Sequence, residues 1–263
     1  MKQRILTAIL IVLLVLPPLI LGGLALDLLV AAFALVAVYE ITTLIDKKVP
    51  WYGIGVLYLV AMVLARCQDI HYPMFLGLFM IGLFVIDIFT KEMGISKISY
   101  LFLMTLLFST AVRGLFSINN MLGSLGLIYV ILVTYVGDSG AYFIGSLFGK
   151  RKLIPRVSPN KTVEGAIGGF VLAFIVSMVF AFYLLELSIP VIIIASVLLP
   201  IMGQIGDLAF SSIKRHFKQK DFGSIFPGHG GMLDRIDSLL FNFIVLNSII
   251  IVNIYLYIVF IGS

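Results

Sequence analysis

Three aspartates stand where an apolar chain has little use for them: Asp207 inside the end of one hydrophobic run, and Asp234 and Asp237 where another begins. An ionised carboxylate in such a place needs a partner. Asp234 and Asp237 are three residues apart and share a helix face, as do Gln204, Asp207 and Ser211 along the preceding run. Lys214, Arg215, Lys218, Lys220 and Arg235 lie close by in sequence, and Asp138 in "GDSGAY" is a further acid within an apolar run. Carboxylates gathered at one depth beside Lys and Arg suit a hard cation. Mg²⁺ typically takes one or two carboxylates and completes its shell with phosphate oxygens. The basic side chains would take the remaining phosphate charge. The chemistry these residue types point to is that of a polyphosphate.

The elements that must position them are membrane helices. With 61% hydrophobic residues, 12% charged and a mean hydropathy of +1.17, the chain lies outside the soluble balance and reads as an all-α, polytopic integral membrane protein. Apolar runs centre on residues 5–25, 28–45, 51–65, 73–89, 99–116, 122–148, 165–186, 189–210 and 239–261, predicting about nine transmembrane helices. The third run is short, and the sixth is long enough to hold a break near Gly137 to Gly140. The first run, behind Lys2 and Arg4, reads as an uncleaved anchor rather than a signal peptide. With the N-terminus inside and the C-terminus outside, 16 of the 18 Lys and Arg residues fall on the cytoplasmic side, among them Lys47, Lys48, Lys91 and Lys97, and only Arg66 and Arg113 fall outside. Residues 1–120 form five helices without a motif. Residues 121–263 carry the candidate chemistry on four helices and two polar cytoplasmic loops, 149–165 and 211–238.

Other readings fail on detail. "GSLFGKR" at 145–151 is one residue short of a phosphate loop and has Arg151 where a hydroxyl should bind Mg²⁺. "NKT" at 160–162 matches a glycosylation sequon but falls on the cytoplasmic side. His229 lacks the companion ligands that zinc requires, Cys67 is the single cysteine, and the basic balance is accounted for by orientation rather than by nucleic acid.

The stretch "SSIKRHFKQKDFGSIFPGHGGMLDRID", residues 211–237, resembles the signature of the phosphatidate cytidylyltransferases, or CDP-diacylglycerol synthases. Ser211, Lys214, Arg215, Lys220, Asp221, His229, Gly230, Gly231, Asp234, Arg235 and Asp237 each occupy a fixed position of that pattern. "SPNKTVEG" at 158–165 and "GDSGAYFIG" at 137–145 are similar to further stretches of the same family.

The resemblance implies transfer of the cytidylyl group of CTP to phosphatidate, giving CDP-diacylglycerol and pyrophosphate, with Mg²⁺ and a second cation such as K⁺. It also implies a homodimer in the cytoplasmic (inner) membrane with its active site facing the cytoplasm. On this reading Asp207 and Asp234 hold the metal and Asp237 supports it or the second cation. Lys214, Arg215, Lys220 and Arg235 grip phosphates, and His229 joins the catalytic set. The turn at Gly230 and Gly231 lets backbone N–H groups approach an anion. Ser158, Asn160, Lys161 and Thr162 line the opposite wall, with Asp138 nearby. The rival from another class is an ion-coupled transporter, for which intramembrane carboxylates are equally at home, but its site belongs at the bilayer midplane between repeated halves. Here the charges crowd the cytoplasmic ends of the runs.

Overall fold

Every apolar run falls on helix wherever the computed structural model describes it, over residues 13–46, 49–90, 94–225 and 230–261. Lys2, Arg4, Lys47, Lys48, Lys91 and His229 lie outside the described residues. The helices are α1 (described over 13–21), α2 (Gly23–Ile45), α3 (Trp51–Arg66), α4 (Tyr72–Thr90), α5 (Gly94–Phe148), α6 (Val163–Leu184), α7 (Ile189–His216) and α8 (Leu233–Ile261). Among the described residues, six helices are long and apolar enough to cross a membrane. The chain is an all-α polytopic membrane protein, with one small exception described below. The 16-residue α3 is the short one, about 24 Å long at 1.5 Å per residue, against a hydrocarbon core of about 30 Å.

Two compact units divide the chain, and the division differs from one at residue 120. The first takes Gly23–Arg113 together with Asp221–Arg235, so most of the signature segment packs with the motif-free half. In this unit α2 packs on α3 and α3 on α4. The two basic residues that the charge count leaves outside are both paired here. Arg66 meets Asp27 at 2.8 Å. Arg113 pairs with Asp69, donates to the carbonyls of Leu64 and Cys67 at 3.3 and 2.7 Å, and sits 5.2 Å from the centre of the Tyr72 ring. A guanidinium with five donors and a flat face is suited to such a cluster.

The second unit takes Gly114–Lys220 and the chain from Ile236 on. The break in the long α5 is at Gly123, with φ 63° and ψ −161°, a backbone state open essentially to glycine alone. The expected break near Gly137 to Gly140 is not there: helix runs unbroken through both. Gly140, together with the facing Gly165 and Gly169, instead lets α5 and α6 approach closely. A Cβ on Gly169 would stand 2.5 Å from the Gly137 carbonyl oxygen, and one on Gly165 2.6 Å from that of Ala141. Small residues four apart on facing helices are the usual means of tight packing in lipid. Next, α6 packs on α7, and Gln204 of α7 donates to the Ala166 carbonyl at 3.0 Å.

The loop 149–165 contains the exception to all-α, an antiparallel hairpin of β1 (Lys152–Ile154) and β2 (Ser158–Thr162). Glu164 fixes its entry by accepting the N–H groups of Lys150 and Arg151 at 3.0 and 3.1 Å. At the far end of α7, helix continues beyond residue 210 to His216, so Ser211, Lys214 and Arg215 are helical residues. Helix then stops. Lys218 adopts φ 55°, with its N–H on the Arg215 carbonyl and that of Gln219 on the Lys214 carbonyl. That pair of bonds is the Schellman closure of a helix, with lysine at the position glycine usually takes.

Candidate active site

In the second unit, the carboxylates of Asp138 on α5, Asp207 on α7 and Asp237 on α8 are brought within reach of one another's charge. Asp237 feels Asp207, Lys214 and Asp138, and Asp138 feels Asp207 and Lys161. Lys161 of β2 forms an ion pair with the Asp207 Oδ2, while Ser211, one turn along α7, donates to its Oδ1 at 3.3 Å. Asp237 and Lys214 are both buried, and the Asp237 Oδ1 accepts the Ser238 N–H at 2.7 Å. Three carboxylates against two ammonium groups leave a formal negative charge in the cluster. An added cation would be attracted to such a site, and phosphate oxygens would then have both the cation and the lysines to bind.

The hairpin delivers the remaining residues of the 158–162 group in different ways. Asn160 is exposed and Ser158 half-buried on β2. Thr162 is buried and caps α6, its Oγ1 accepting the Gly165 N–H at 3.1 Å. Its described bond is therefore that of a helix cap. Arg215 is anchored to the hairpin turn, with Nε on the Val157 carbonyl at 3.4 Å and Nη1 on the Gln219 carbonyl at 3.1 Å. Lys220 is exposed just past the helix closure.

In the first unit, the signature segment folds around two carboxylates. The Asp234 Oδ2 accepts the N–H groups of Phe222 and Gly231, each at 2.9 Å. Glu40 of α2, wholly buried, accepts the N–H of Met232 at Oε1 and that of Leu233 at Oε2, both at 2.8 Å. The amides of the glycine turn and of the first turn of α8 thus do approach anions closely, and in the described structure those anions are the protein's own. Arg235 and Asp221 are exposed at the rim of this segment, and Gly230, with φ 81°, lies against the Asp234 carboxylate.

The sequence model of the cytidylyltransferase family matches residues 2–253, which run from α1 into α8 and include residues of both units. The chain belongs to the cytidylyltransferase family. Within it, a phosphatidate cytidylyltransferase of Staphylococcus haemolyticus is 36% identical over 95% of this chain and 99% of its own length. One of Bacillus subtilis is 35% identical over 92% of this chain and 94% of its own, and one of Staphylococcus epidermidis is 35% identical over 95% and 99%. Membership in the cytidylyltransferases agrees with the polyphosphate chemistry inferred from the carboxylates and lysines. Sequence reasoning missed Glu40. A signal existed, since it is a lone acid in the apolar run 28–45, and the argument applied to Asp207 applies to it equally.

Proposed function

We propose that this protein transfers the cytidylyl group of CTP to phosphatidate, forming CDP-diacylglycerol and releasing pyrophosphate. The observation that carries the reading is the cluster of Asp138, Asp207 and Asp237 with Lys161 and Lys214 in a chain of this family. A phosphate oxygen of the lipid attacks the α-phosphorus of CTP, the new P–O bond forms, and the bond to the β-phosphate breaks with its electrons leaving on pyrophosphate. Two polyanions must meet, so positioning and charge neutralisation supply the catalysis. In our reading Lys161 and Lys214 take phosphate charge from within the cluster, Arg215 and Lys220 take it from the end of α7, and Arg235 is a phosphate-binding residue proposed from the signature.

Among the described residues no group of three or more Asp, Glu, His or Cys side chains is placed to hold a metal ion unaided. The donor set nonetheless fits Mg²⁺, which needs only one or two carboxylates when phosphate oxygens fill its remaining positions. Asp207 and Asp237 are the proposed protein ligands in the second unit, with Asp234 proposed from the signature. When bound, the ion would draw charge off the α-phosphate and the leaving pyrophosphate. We further propose nine crossings with the hairpin and the 217–232 segment on the cytoplasmic side of the inner membrane, as the 16-to-two distribution of Lys and Arg favours.

The test is an assay of purified protein with labelled CTP and phosphatidate, with and without Mg²⁺. CDP-diacylglycerol is expected only with the metal. If none forms with any divalent ion, the reading is wrong.

A further inference from the structure

The most unusual group outside the charged cluster is Glu40. It is wholly buried on α2, and its two oxygens accept the N–H groups of Met232 and Leu233, which lie 192 and 193 residues further along the chain. Each oxygen of the carboxyl group thus serves as an acceptor, which a carboxylate does at both positions without turning a donor toward either amide. Those amides are among the orphan N–H groups that open α8, where the helix dipole also favours negative charge. The glycines of the segment are shaped to the same carboxylate. A Cβ on Gly223 would stand 2.6 Å from the Glu40 Oε1, and its three nearest neighbours all belong to Glu40. A Cβ on Gly231 would also stand 2.6 Å from that oxygen. With both oxygens tied to backbone amides, the side chain has no free path out of the way.

We infer that Glu40 is a positioning residue for the transfer reaction: from the motif-free half of the chain, it fixes the glycine turn and the start of α8, and so sets where Asp234 and Arg235 stand. The inference rests on the proposed cytidylyl transfer for its kinetic readout and on the hydrogen bonds alone for its structural one. Asp234 itself bonds to Phe222, beside Gly223, and to Gly231, so the segment is held by one carboxylate from within and one from α2. Loss of the outer one leaves the substrate groups chemically intact and misplaces them, which should lower kcat far more than it raises KM.

Glu40→Gln keeps the shape but turns an NH₂ donor toward one of the two amides. Amide hydrogen exchange in detergent or nanodiscs is expected to speed up at residues 231–234 in this variant and to stay unchanged in Leu35→Ala, a change at an exposed position of the same helix. Exchange at 231–234 equal to wild type overturns the contact, whatever the activity. In the CTP and phosphatidate assay, Glu40→Gln is expected to lose at least tenfold in kcat with KM for both substrates within about threefold. Turnover within twofold of wild type overturns the positioning role, whereas an inactive wild-type protein overturns the proposed reaction and leaves the exchange result to judge the contact.

Should Glu40→Gln fail to accumulate, Gly223→Ala asks the same question with Glu40 in place. It should lower kcat, and adding Glu40→Asp, which shortens the crowding side chain, should restore part of the loss. A double variant no better than Gly223→Ala alone would also overturn the inference.

Discussion

Asp234 offers the sharpest separation between a charge that performs chemistry and one that holds a loop. Both of its described bonds, from the N–H groups of Phe222 and Gly231, end on one oxygen, Oδ2. Asp234→Asn can place its amide oxygen there and keep both. What changes is charge: a hydrogen bond to an ionised group contributes about 1.5–3 kcal/mol and a neutral one about 0.5–1.5. The difference, about 1 kcal/mol per bond, gives about 2 kcal/mol for the pair. At 1.36 kcal/mol per tenfold, that loosening would lower turnover by about 30-fold at most, and only if all of it fell on the productive arrangement of the loop. A fall beyond about 100-fold therefore requires that the charge itself meet a cation or a substrate phosphate. Asp234→Ala additionally leaves two amides without their acceptor, at about 1–3 kcal/mol each, and should reduce the amount of folded protein. The assay is kcat at saturating Mg²⁺ and both substrates, with inserted protein measured in parallel. The expected result is more than a 100-fold loss in Asp234→Asn at normal insertion. A loss under tenfold would refute the reasoning and leave Asp234 a loop residue.

Asp207→Asn should cost little stability, because it removes one attraction, to Lys161, together with repulsions from Asp138 and Asp237; thermal unfolding within about 1 kcal/mol of wild type and activity lower by orders of magnitude are expected, and near-normal turnover would move the metal elsewhere. Lys218→Gly should stabilise the protein by about 1 kcal/mol, since lysine holds the left-handed conformation that glycine adopts freely, with turnover within a few-fold, whereas Lys220→Ala should lower turnover sharply; equal effects on turnover would make both lysines topological anchors. Thr162→Ala removes the cap of α6 and should lower stability by about 1 kcal/mol, read from the unfolding midpoint. A cysteine introduced at Lys152 or Gln219 should label only from the cytoplasm and one placed after Gly262 only from outside; labelling of all three from one face would overturn nine crossings.

The helices were legible because hydropathy alone sets them in lipid, where every backbone group must be satisfied within its own segment. The hairpin was not, since "KLI" and "SPNKT" carry no alternating pattern and owe their pairing to a tight connection and to the Glu164 bonds to Lys150 and Arg151. Gly137 and Gly140 invite a reading as a weak point, yet the facing glycines of α6 turn the same residues into a close contact; a single helix cannot reveal which. Lys218 ends a helix that its own sequence, without glycine, gives no sign of ending there. For the candidate site, residue types and spacing sufficed to pick out Asp138, Asp207, Lys214 and Asp237, the family resemblance added Lys161, and the fold brings the five together. Types and spacing could not reveal that Asp234 spends its Oδ2 on two backbone amides, nor that those glycines answer to Glu40, because the relevant partner lies on another helix far away in the chain.

That separation also orders events during synthesis. The amides that Glu40 binds are made 192 and 193 residues after it; at roughly 5–20 residues per second, about 10 to 40 s pass before they exist. During that interval α2 holds a carboxylate whose final partners have not yet left the ribosome, and the apolar helices made meanwhile must assemble without them. A chain stopped between residues 217 and 231 has made every helix but α8, yet leaves Glu40 without either amide. Such an unfinished chain thus differs from a completed one at an acid far from its growing end, whose two amide partners are still to be made.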